Sequence, residues 1–377
     1  MQSMQPMRRS VVVVGGGYGG AAVAKALDDV ADVVLVEPKD AFVHAVGALR
    51  AAVDPDWQDR VFIPYDRLLT HGRVVQDWVR TATPTQVRLS TDDVIDADYL
   101  VLATGSGYPF PAKFLENQMS VAGARLARLR EALARAQRVL IVGAGPVGLE
   151  LAGELTSSYR DLAVTVVDQQ DDILMNGDVL PEVRASIRTQ LEARGVVFEL
   201  GAPLGYLPPS DVGTFEPFTV STATGREITA QLWFRCHDAS MTTGYLGTEL
   251  ARHVIGGGRI QVTNTLNVVG YETVFAIGDI TDVPESKRAS AARAHAAVVA
   301  ANIASLIAGR PATATYTPAP ELIVLPLGPD GGASQLVDTS GARVMRGPKE
   351  TSAIKGTDLM TEPMIDLFGR EPVAIPR

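Results

Sequence analysis

The hydrophobic and polar positions of this chain repeat one short pattern, with the second copy 128 residues after the first. Each copy opens with an apolar run, residues 11–14 and 139–142, that has no polar position to face solvent. A run of this kind predicts a strand that is buried on both faces of a parallel sheet. A glycine-rich turn and an amphipathic helix follow in both copies. The pattern therefore predicts an α/β protein with two Rossmann-like units.

Both turns have the spacing Gly-x-Gly-x-x-Gly. The first glycine of such a turn permits a sharp bend, the second lets the backbone approach a pyrophosphate, and the third lets the helix pack against the strand. The helix N-terminus offers unpaired N–H groups to the same anion. The glycines are Gly15, Gly17 and Gly20 in the first copy and Gly143, Gly145 and Gly148 in the second.

An acidic residue ends the second strand of each unit. Glu37 follows the run 33–36, and Asp168 follows the run 163–167. A carboxylate at this position accepts hydrogen bonds from ribose hydroxyls. A single glycine-rich turn could also occur without a ligand. Two such turns, each with an acidic residue at the end of the following strand, predict two bound dinucleotides. Asp168 would repel a 2′-phosphate and no arginine follows it closely, so we expect NADH rather than NADPH.

Two later strands end in candidate contacts for a flat ligand. The run 99–103 stops at Thr104 and Gly105, where small residues allow close approach, although a plain tight turn fits them equally well. The run 273–277 leads to Asp279, and a carboxylate there suits the ribityl hydroxyls of a flavin. The following segment, residues 287–307, is apolar nearly all round, which predicts a buried helix. If its N-terminus points at the flavin, its dipole would stabilise the reduced form.

Several charged residues near these turns have two interpretations each. Lys39 and Arg50 fit solvated cations as well as contacts to a phosphate or a ring. His44 is equally ambiguous. Glu150 and Glu154 fit carboxylates that interact favourably with the N-terminus of a helix and keep its surface soluble. Alternatively, Glu150 lies beside a nicotinamide and holds its carboxamide.

Composition narrows the function classes. The chain has 377 residues, 46% of them hydrophobic, and a net charge of −9. This length predicts two or three domains, and the acidic balance argues against a nucleic-acid partner. Cys236 is the one cysteine, so chemistry through a dithiol is excluded. It is expected to be a small buried side chain, and His237 an exposed turn residue. No metal site is expected.

The sequence also bears on location. It has no apolar run of signal-peptide length after Arg8 and Arg9, no run of 18 apolar residues, and Gln2 in place of the glycine that myristoylation requires. We therefore expect a cytoplasmic protein with no membrane span or lipid anchor.

Several segments together resemble the pyridine nucleotide-disulfide oxidoreductase superfamily of flavoproteins, in the apoptosis-inducing-factor-like, or ferroptosis suppressor protein, branch. The resemblance covers nearly the full length. The matching segments are VVVVGGGYGG, KDAFVHAVGALRAAV, LATGSGYPFPAKF, VGAGPVGLELAGE, VFAIGDITDV, RAHAAVVAANI and LPLGPDGGASQ.

The resemblance implies FAD at the first glycine-rich turn, NAD(P)H at the second, and the reduction of quinones. The implied FAD residues are Gly15, Gly17, Gly20, Glu37, Lys39, Arg50, Thr104, Gly105 and Asp279. The implied NADH residues are Gly143, Gly145, Gly148, Glu150 and Asp168. The segment AIKGTDLM is similar to the family's KxxDLF, which implies that Lys355 lies near the flavin, although a solvated lysine also fits. Glu150 and Lys355 are the candidate catalytic residues.

The resemblance also implies a domain division. The FAD-binding domain would comprise residues 1–112 and 250–310, the NADH-binding domain residues 113–249, and a small α+β C-terminal region residues 311–377. The chain departs from the family at RCHDAS, around Cys236, and at MTEPMIDLFGREP, after the KxxDLF-like segment. It also lacks the family's lipid anchor, which favours a soluble acceptor.

The expected function is the transfer of a hydride from NADH through FAD to a quinone-like or other aromatic small-molecule acceptor. One alternative is a flavoenzyme that acts on a biosynthetic aromatic intermediate. The other is a redox-gated interaction protein of the apoptosis-inducing-factor type. A homodimer is compatible with each.

Overall fold

The computed structural model describes residues 8–371, and its first sheet consists of five parallel strands. The strand Ser10–Val14 pairs with Asp32–Val36 on one side and Tyr99–Leu102 on the other. Arg73–Val75 and Val274–Ala276 are the two edge strands. The valines of the first strand are shielded almost completely from solvent, because helices cover one face of the sheet and a small antiparallel sheet that includes Val87 and Leu89 packs on the other. The prediction of a doubly covered strand is confirmed.

The second sheet repeats this architecture with four parallel strands. Their order is Val197–Glu199, Ala163–Val167, Arg138–Val142 and Leu232–Arg235. The helix Pro146–Ser158 follows the third of these strands, and proline at its first position suits a helix start. The predicted α/β fold with two Rossmann-like units is confirmed.

The long alanine-rich helix is Ala289–Ile307, two residues shorter at its start than the predicted segment. It packs against the helix Tyr18–Leu27 of the first unit. The prediction that it is buried all round is wrong: only the face that includes His295, Val299 and Ile303 is buried. Alanines on the other face are small enough to lie in solvent at little cost. By length and composition alone, this helix could also cross a membrane. The core helices of soluble proteins often meet the same criterion.

The segment before the second sheet contains the helix Met119–Arg135. The Asp40 carboxylate accepts the Met119 N–H at 2.8 Å and caps this helix from another element. In the preceding segment, residues 107–114, Phe110 and Phe114 are buried in the core.

The C-terminal region consists of a small antiparallel sheet and short helices. Its strands are Ile323–Leu327, Gly331–Val337 and Arg343–Arg346. The sheet packs on the helix Pro146–Ser158 at Gly153, where a Cβ atom would lie 2.5 Å from the Leu327 backbone. The helical segments that follow are Pro348–Thr351, the π-helical turn Ser352–Gly356, and Glu362–Leu367.

Shorter elements complete the described residues. The remaining strands are Ala41–Val43, Phe62–Pro64, Val79–Thr83, Gln86–Leu89, Val94–Asp96, Ser106–Gly107, Phe218–Ser221, Glu227–Ala230, Ser240–Met241, Val254–Ile255 and Arg259–Ile260. The remaining helices and helical turns are Ala48–Ala51, Pro55–Trp57, Gln58–Val61, Tyr65–Arg67, Pro181–Ala193, Thr248–Ala251, Gly256–Gly258 and Gly278–Ile280.

Candidate functional site

The first glycine-rich turn forms an open cradle between strand and helix. Gly15 has a φ of +100°, and a Cβ atom there would lie 2.6 Å from the carbonyl oxygen of Ala103. A Cβ atom on Gly20 would lie 1.8 Å from the Gly15 carbonyl oxygen, so the helix packs this closely only with glycine. A Cβ atom on Gly17 would meet nothing within 4 Å. This open position is where a pyrophosphate would approach the backbone.

Glu37 is fixed beside this cradle by backbone donors. Its Oε2 accepts the Gly16 N–H at 2.7 Å, and its Oε1 accepts the Lys39 N–H at 3.0 Å. Burial raises the pKa of Glu37 and the two N–H groups oppose this effect. The Lys39 ammonium donates to the carbonyl oxygens of Phe114 and Glu116, so the structure places it against the segment that leads to the second unit.

Thr104, Gly105 and Asp279 meet at the ends of two neighbouring strands. Thr104 Oγ1 donates to the Thr242 carbonyl at 2.6 Å, and Gly105 has a φ of +63° beside open space. Asp279 Oδ2 accepts a hydrogen bond from Ser106 Oγ at 2.5 Å. Parallel strands bring their carboxyl ends to one edge, where ligands of α/β sheets bind.

Lys113 belongs to this group, although the sequence analysis did not single it out. Its ammonium donates to the Ser106 carbonyl at 2.6 Å and to Ser106 Oγ at 2.9 Å, and it lies 3.7 Å from Asp279 Oδ2. Burial lowers the pKa of Lys113, and the Asp279 carboxylate opposes this effect. The signal in the sequence was a lone lysine in an otherwise apolar, proline-rich segment.

The second cradle has the same geometry as the first. Gly143 has a φ of +115° and would clash with the Cys236 carbonyl if it had a Cβ atom, while a Cβ atom on Gly145 would meet open space. A Cβ atom on Gly148 would lie 2.0 Å from the Gly143 carbonyl oxygen. Asp168 accepts the Ala144 N–H at 2.6 Å and a second backbone N–H two residues further on at 2.9 Å. Its role therefore matches that of the first acid.

Glu150 and Lys355 form an ion pair. The Lys355 ammonium lies 2.7 Å from Glu150 Oε1. The Lys355 side chain is 14% exposed and the Glu150 side chain 15%. Lys355 lies in the π-helical turn Ser352–Gly356, a type of turn that is frequent at functional sites. The sequence analysis named both residues, and the structure brings them together.

Arg50 and Glu154 form a second pair, which is buried. Arg50 donates from Nε at 2.8 Å and from Nη2 at 2.9 Å to the two carboxylate oxygens of Glu154. The side chains are 6% and 4% exposed. The interpretation of Glu154 as a solvated helix residue is therefore wrong, because the packing of the two units covers it. The expected FAD contact of Arg50 stays a prediction, and the structure places its guanidinium against the helix Pro146–Ser158.

His44 is buried and neutral. Its Nε2 lies 2.9 Å from the Leu359 carbonyl, and its Nδ1 lies 3.1 Å from the Tyr18 hydroxyl. Because a carbonyl only accepts, we assign the proton to Nε2 from these partners. Burial lowers the pKa of His44 to about 4. His44 therefore connects the C-terminal region to the loop beside the first cradle.

Cys236 is poorly suited to act as a nucleophile, and His237 lies beside an acidic neighbour. Cys236 is buried, and burial raises the pKa of its thiol to about 12. His237 is half-buried, with Nδ1 3.0 Å from Asp238 Oδ2. Across residues 8–371, no group of three or more histidine, cysteine or acidic side chains is placed to hold a metal ion.

Comparison with known proteins agrees with this geometry. The family model described as pyridine nucleotide-disulphide oxidoreductase matches residues 9–300. Ferroptosis suppressor protein 1 of Taeniopygia guttata is 32% identical over 339 residues, which cover 86% of this chain and 88% of that protein. Apoptosis-inducing factor homolog A of Dictyostelium discoideum is 30% identical over 352 residues, 87% of this chain and 85% of that protein.

A solved structure has the same fold at lower identity. The sulfide:quinone oxidoreductase of Aquifex aeolicus superposes with a TM-score of 0.73 at 16% identity, covering 96% of this chain and 92% of that chain.

Proposed function

Because the chain belongs to the pyridine nucleotide-disulphide oxidoreductase family, we propose that it oxidises NADH and passes the electrons through FAD to a quinone-like or other aromatic acceptor. It is an NAD(P)H-dependent flavin oxidoreductase, and FAD supplies the two-electron redox chemistry when bound. The two cradles fit these cofactors, because Gly17 and Gly145 leave open space where a pyrophosphate would lie.

The single cysteine is the observation that carries the choice of acceptor. A relay of electrons through a dithiol needs two cysteines in the chain, and this chain has only Cys236. Its thiol is buried with a raised pKa, behind the turn of the second cradle. The acceptor must therefore take electrons directly from the flavin. Planar acceptors that accept two electrons, such as quinones, meet this requirement.

The residues of the chain bind and orient the two cofactors. Glu37 and Asp168 are held by backbone N–H groups in a position to accept ribose hydroxyls. Asp279, fixed by Ser106, would accept from the ribityl chain. Glu150 would hold the carboxamide of the nicotinamide and orient its ring toward the flavin.

The choice of NADH over NADPH rests on Asp168. Both of its carboxylate oxygens accept backbone N–H groups, so the negative charge is fixed beside the second cradle, where the ribose would lie. A 2′-phosphate would meet this charge directly, and like charges in contact cost several kcal/mol. We therefore propose NADH as the physiological reductant.

The test combines anaerobic stopped-flow reduction of the holoenzyme by NADH with a panel of acceptors. We expect rapid flavin reduction and steady turnover with soluble benzoquinones and naphthoquinones, and no turnover with glutathione disulfide. The Cys236→Ala variant is the control and should keep quinone turnover, because the thiol takes no part. Disulfide reduction that is lost in Cys236→Ala would contradict the proposal.

The same experiment separates the alternatives. Rapid flavin reduction with turnover only on an aromatic pathway compound would favour the biosynthetic flavoenzyme. Slow flavin reduction together with an NADH-dependent change in oligomeric mass would favour the redox-gated interaction protein.

A further inference from the structure

The backbone just before Asp279 is held by a buried histidine that the reaction does not use. The Gly278 N–H donates to His295 Nδ1 at 3.0 Å, and His295 is fully buried. Because Nδ1 accepts this hydrogen bond, the ring is neutral and we assign its proton to Nε2. Nδ1 can therefore only accept from the Gly278 N–H. Protonation of Nδ1 would replace this attraction by repulsion between two N–H groups.

Two further groups, one buried and one partly buried, support the other side of the ring. Glu285 Oε1 lies 2.9 Å from His295 Nε2, although the oxygen is off the direction of a good hydrogen bond. Tyr316 donates its hydroxyl to Glu285 Oε2 at 2.5 Å, and its ring packs edge-on against the imidazole with centroids 4.2 Å apart. Glu285, His295 and Tyr316 come from three separate segments, so the cluster forms only in the folded chain.

The turn that presents Asp279 is fixed at several atoms. Gly278 has a φ of +74°, and its carbonyl accepts the Thr281 hydroxyl at 2.9 Å. Within residues 8–371, the hydrogen bonds to the Asp279 carboxylate fall on Oδ2, through Ser106. The second carboxylate oxygen is left for a cofactor hydroxyl. The His295 contact to the Gly278 N–H holds this turn one residue before Asp279.

We propose that His295 is a positioning residue for FAD: supported by Glu285 and Tyr316, its neutral ring fixes the Gly278 peptide so that Asp279 is preset for the ribityl chain. A preset group costs less entropy when the ligand binds. FAD affinity then depends on the protonation state of a buried residue that acts through the Gly278 peptide.

The charged groups around His295 determine the sign of this pH dependence. Glu285 favours the protonated ring, as does Asp279, while Lys287 opposes it. Tyr316 stays neutral, because burial raises its pKa. Burial of the ring outweighs the acidic neighbours and lowers the pKa of His295 below its usual value. FAD affinity should therefore be constant at neutral and alkaline pH and fall as the pH is lowered into the acid range.

Two substitutions of His295 separate a positioning role from a structural one. His295→Asn places a side-chain oxygen close to the position of Nδ1, so it can accept the Gly278 N–H but cannot titrate. His295→Leu removes the acceptor and leaves a buried N–H unpaired. His253→Asn is the matched control, because His253 packs against Tyr271 away from this cluster.

The measurement is the FAD dissociation constant of the reconstituted full chain, from quenching of flavin fluorescence between about pH 5 and about pH 8. At neutral pH we expect His295→Leu to bind FAD ~10- to 100-fold more weakly and His295→Asn to bind nearly as the wild type does. At acid pH the wild type and His253→Asn should lose affinity, whereas His295→Asn should not.

Two results would overturn the proposal. One is an unchanged FAD affinity in His295→Leu with intact circular dichroism. The other is an acid loss of affinity in His295→Asn equal to that of the wild type. The asparagine variant keeps the hydrogen bond that supports folding, so its pH profile decides the matter even where the leucine variant does not fold.

Discussion

Lys355 and Glu150 are 205 residues apart in the chain, and their side chains form an ion pair with an N–O distance of 2.7 Å. Glu150 lies on the first turns of the helix Pro146–Ser158, and Lys355 lies in the π-helical turn of the C-terminal region. The pair thus joins two parts of the chain at the point where the nicotinamide and the flavin are expected to meet. Both groups are largely shielded from water, so the Coulomb attraction between them is stronger than in an exposed pair.

We predict that Glu150→Gln slows reduction of the flavin by NADH ~10-fold or more, because a hydrogen bond to a charged group is worth about 1.5–3 kcal/mol. Stopped-flow absorbance under anaerobic conditions measures this rate. The control is Glu192→Gln, which removes a carboxylate from the exposed Arg188–Glu192 pair and should leave the rate unchanged. Equal rates in Glu150→Gln and the wild type would contradict a role for Glu150 at the nicotinamide.

We predict that Glu154→Gln destabilises the holoenzyme by about 3–5 kcal/mol, because it leaves the buried Arg50 guanidinium without its counter-charge. The double variant Arg50→Met with Glu154→Leu should lose much less, since no charge is then buried alone. Denaturant unfolding with FAD bound measures both. Arg80→Gln, at an exposed pair with Asp92, is the control and should change stability by less than about 0.5 kcal/mol. A loss in Glu154→Gln no larger than the control's would refute a stabilising role for this pair.

We predict that Asp168→Ala binds NADH ~10-fold more weakly and narrows the preference for NADH over NADPH. The variant loses the carboxylate that anchors the Ala144 N–H and also the charge that would repel a 2′-phosphate. Titration of the oxidised holoenzyme with each nucleotide measures both effects. Asp171→Asn removes a neighbouring charge and should keep the wild-type preference. An unaltered ratio of the two dissociation constants in Asp168→Ala would mean that other residues select the nucleotide.

We predict that the stability of the protein falls as the pH is lowered from about 6.5 to about 4, with up to about 3 kcal/mol contributed by His44. Burial holds His44 neutral in the folded chain, whereas in the unfolded chain it takes up a proton below its usual pKa. Its stabilising contribution is therefore complete above about pH 6.5 and is lost as the pH falls through the folded value.

His44→Gln tests this pH dependence, because glutamine can still donate to the Leu359 carbonyl and does not titrate in this range. Thermal unfolding as a function of pH should show a smaller acid loss in His44→Gln than in the wild type. His71→Gln, at a half-exposed histidine, should match the wild type. If His44→Gln and the wild type lose stability in parallel, His44 is not the titrating group.

Much of the fold was predictable because its signals are local. Each cradle needs a buried strand, a glycine-rich turn, a helix and a second strand with an acid, all within about 30 residues. The structure adds one feature that these motifs share: Glu37 and Asp168 each accept the N–H of the middle residue between the first two glycines, Gly16 and Ala144. The assignment of site residues to FAD and NADH stays a prediction.

Other signals were present but were not interpretable without the tertiary structure. His295 and Asn302 are the polar residues seven positions apart on one face of an alanine-rich helix, and both are fully buried. Two helical turns separate them, so the spacing indicates that both side chains lie on one face of the helix. Their partners were not, because Gly278, Thr265 and Ala314 lie on other segments.

The amino-acid sequence by itself determined the two cradles, the acidic residue that ends the second strand of each unit, and the exclusion of dithiol chemistry. These properties depend on residue types at short, fixed spacings, where backbone geometry leaves little choice. Only the tertiary structure decided that Arg50 pairs with Glu154, that Lys355 reaches Glu150, and that His295 holds the Gly278 peptide. The physical reason is that a hydrogen bond or ion pair between distant segments depends on how the sheets and helices pack, which local spacing does not encode.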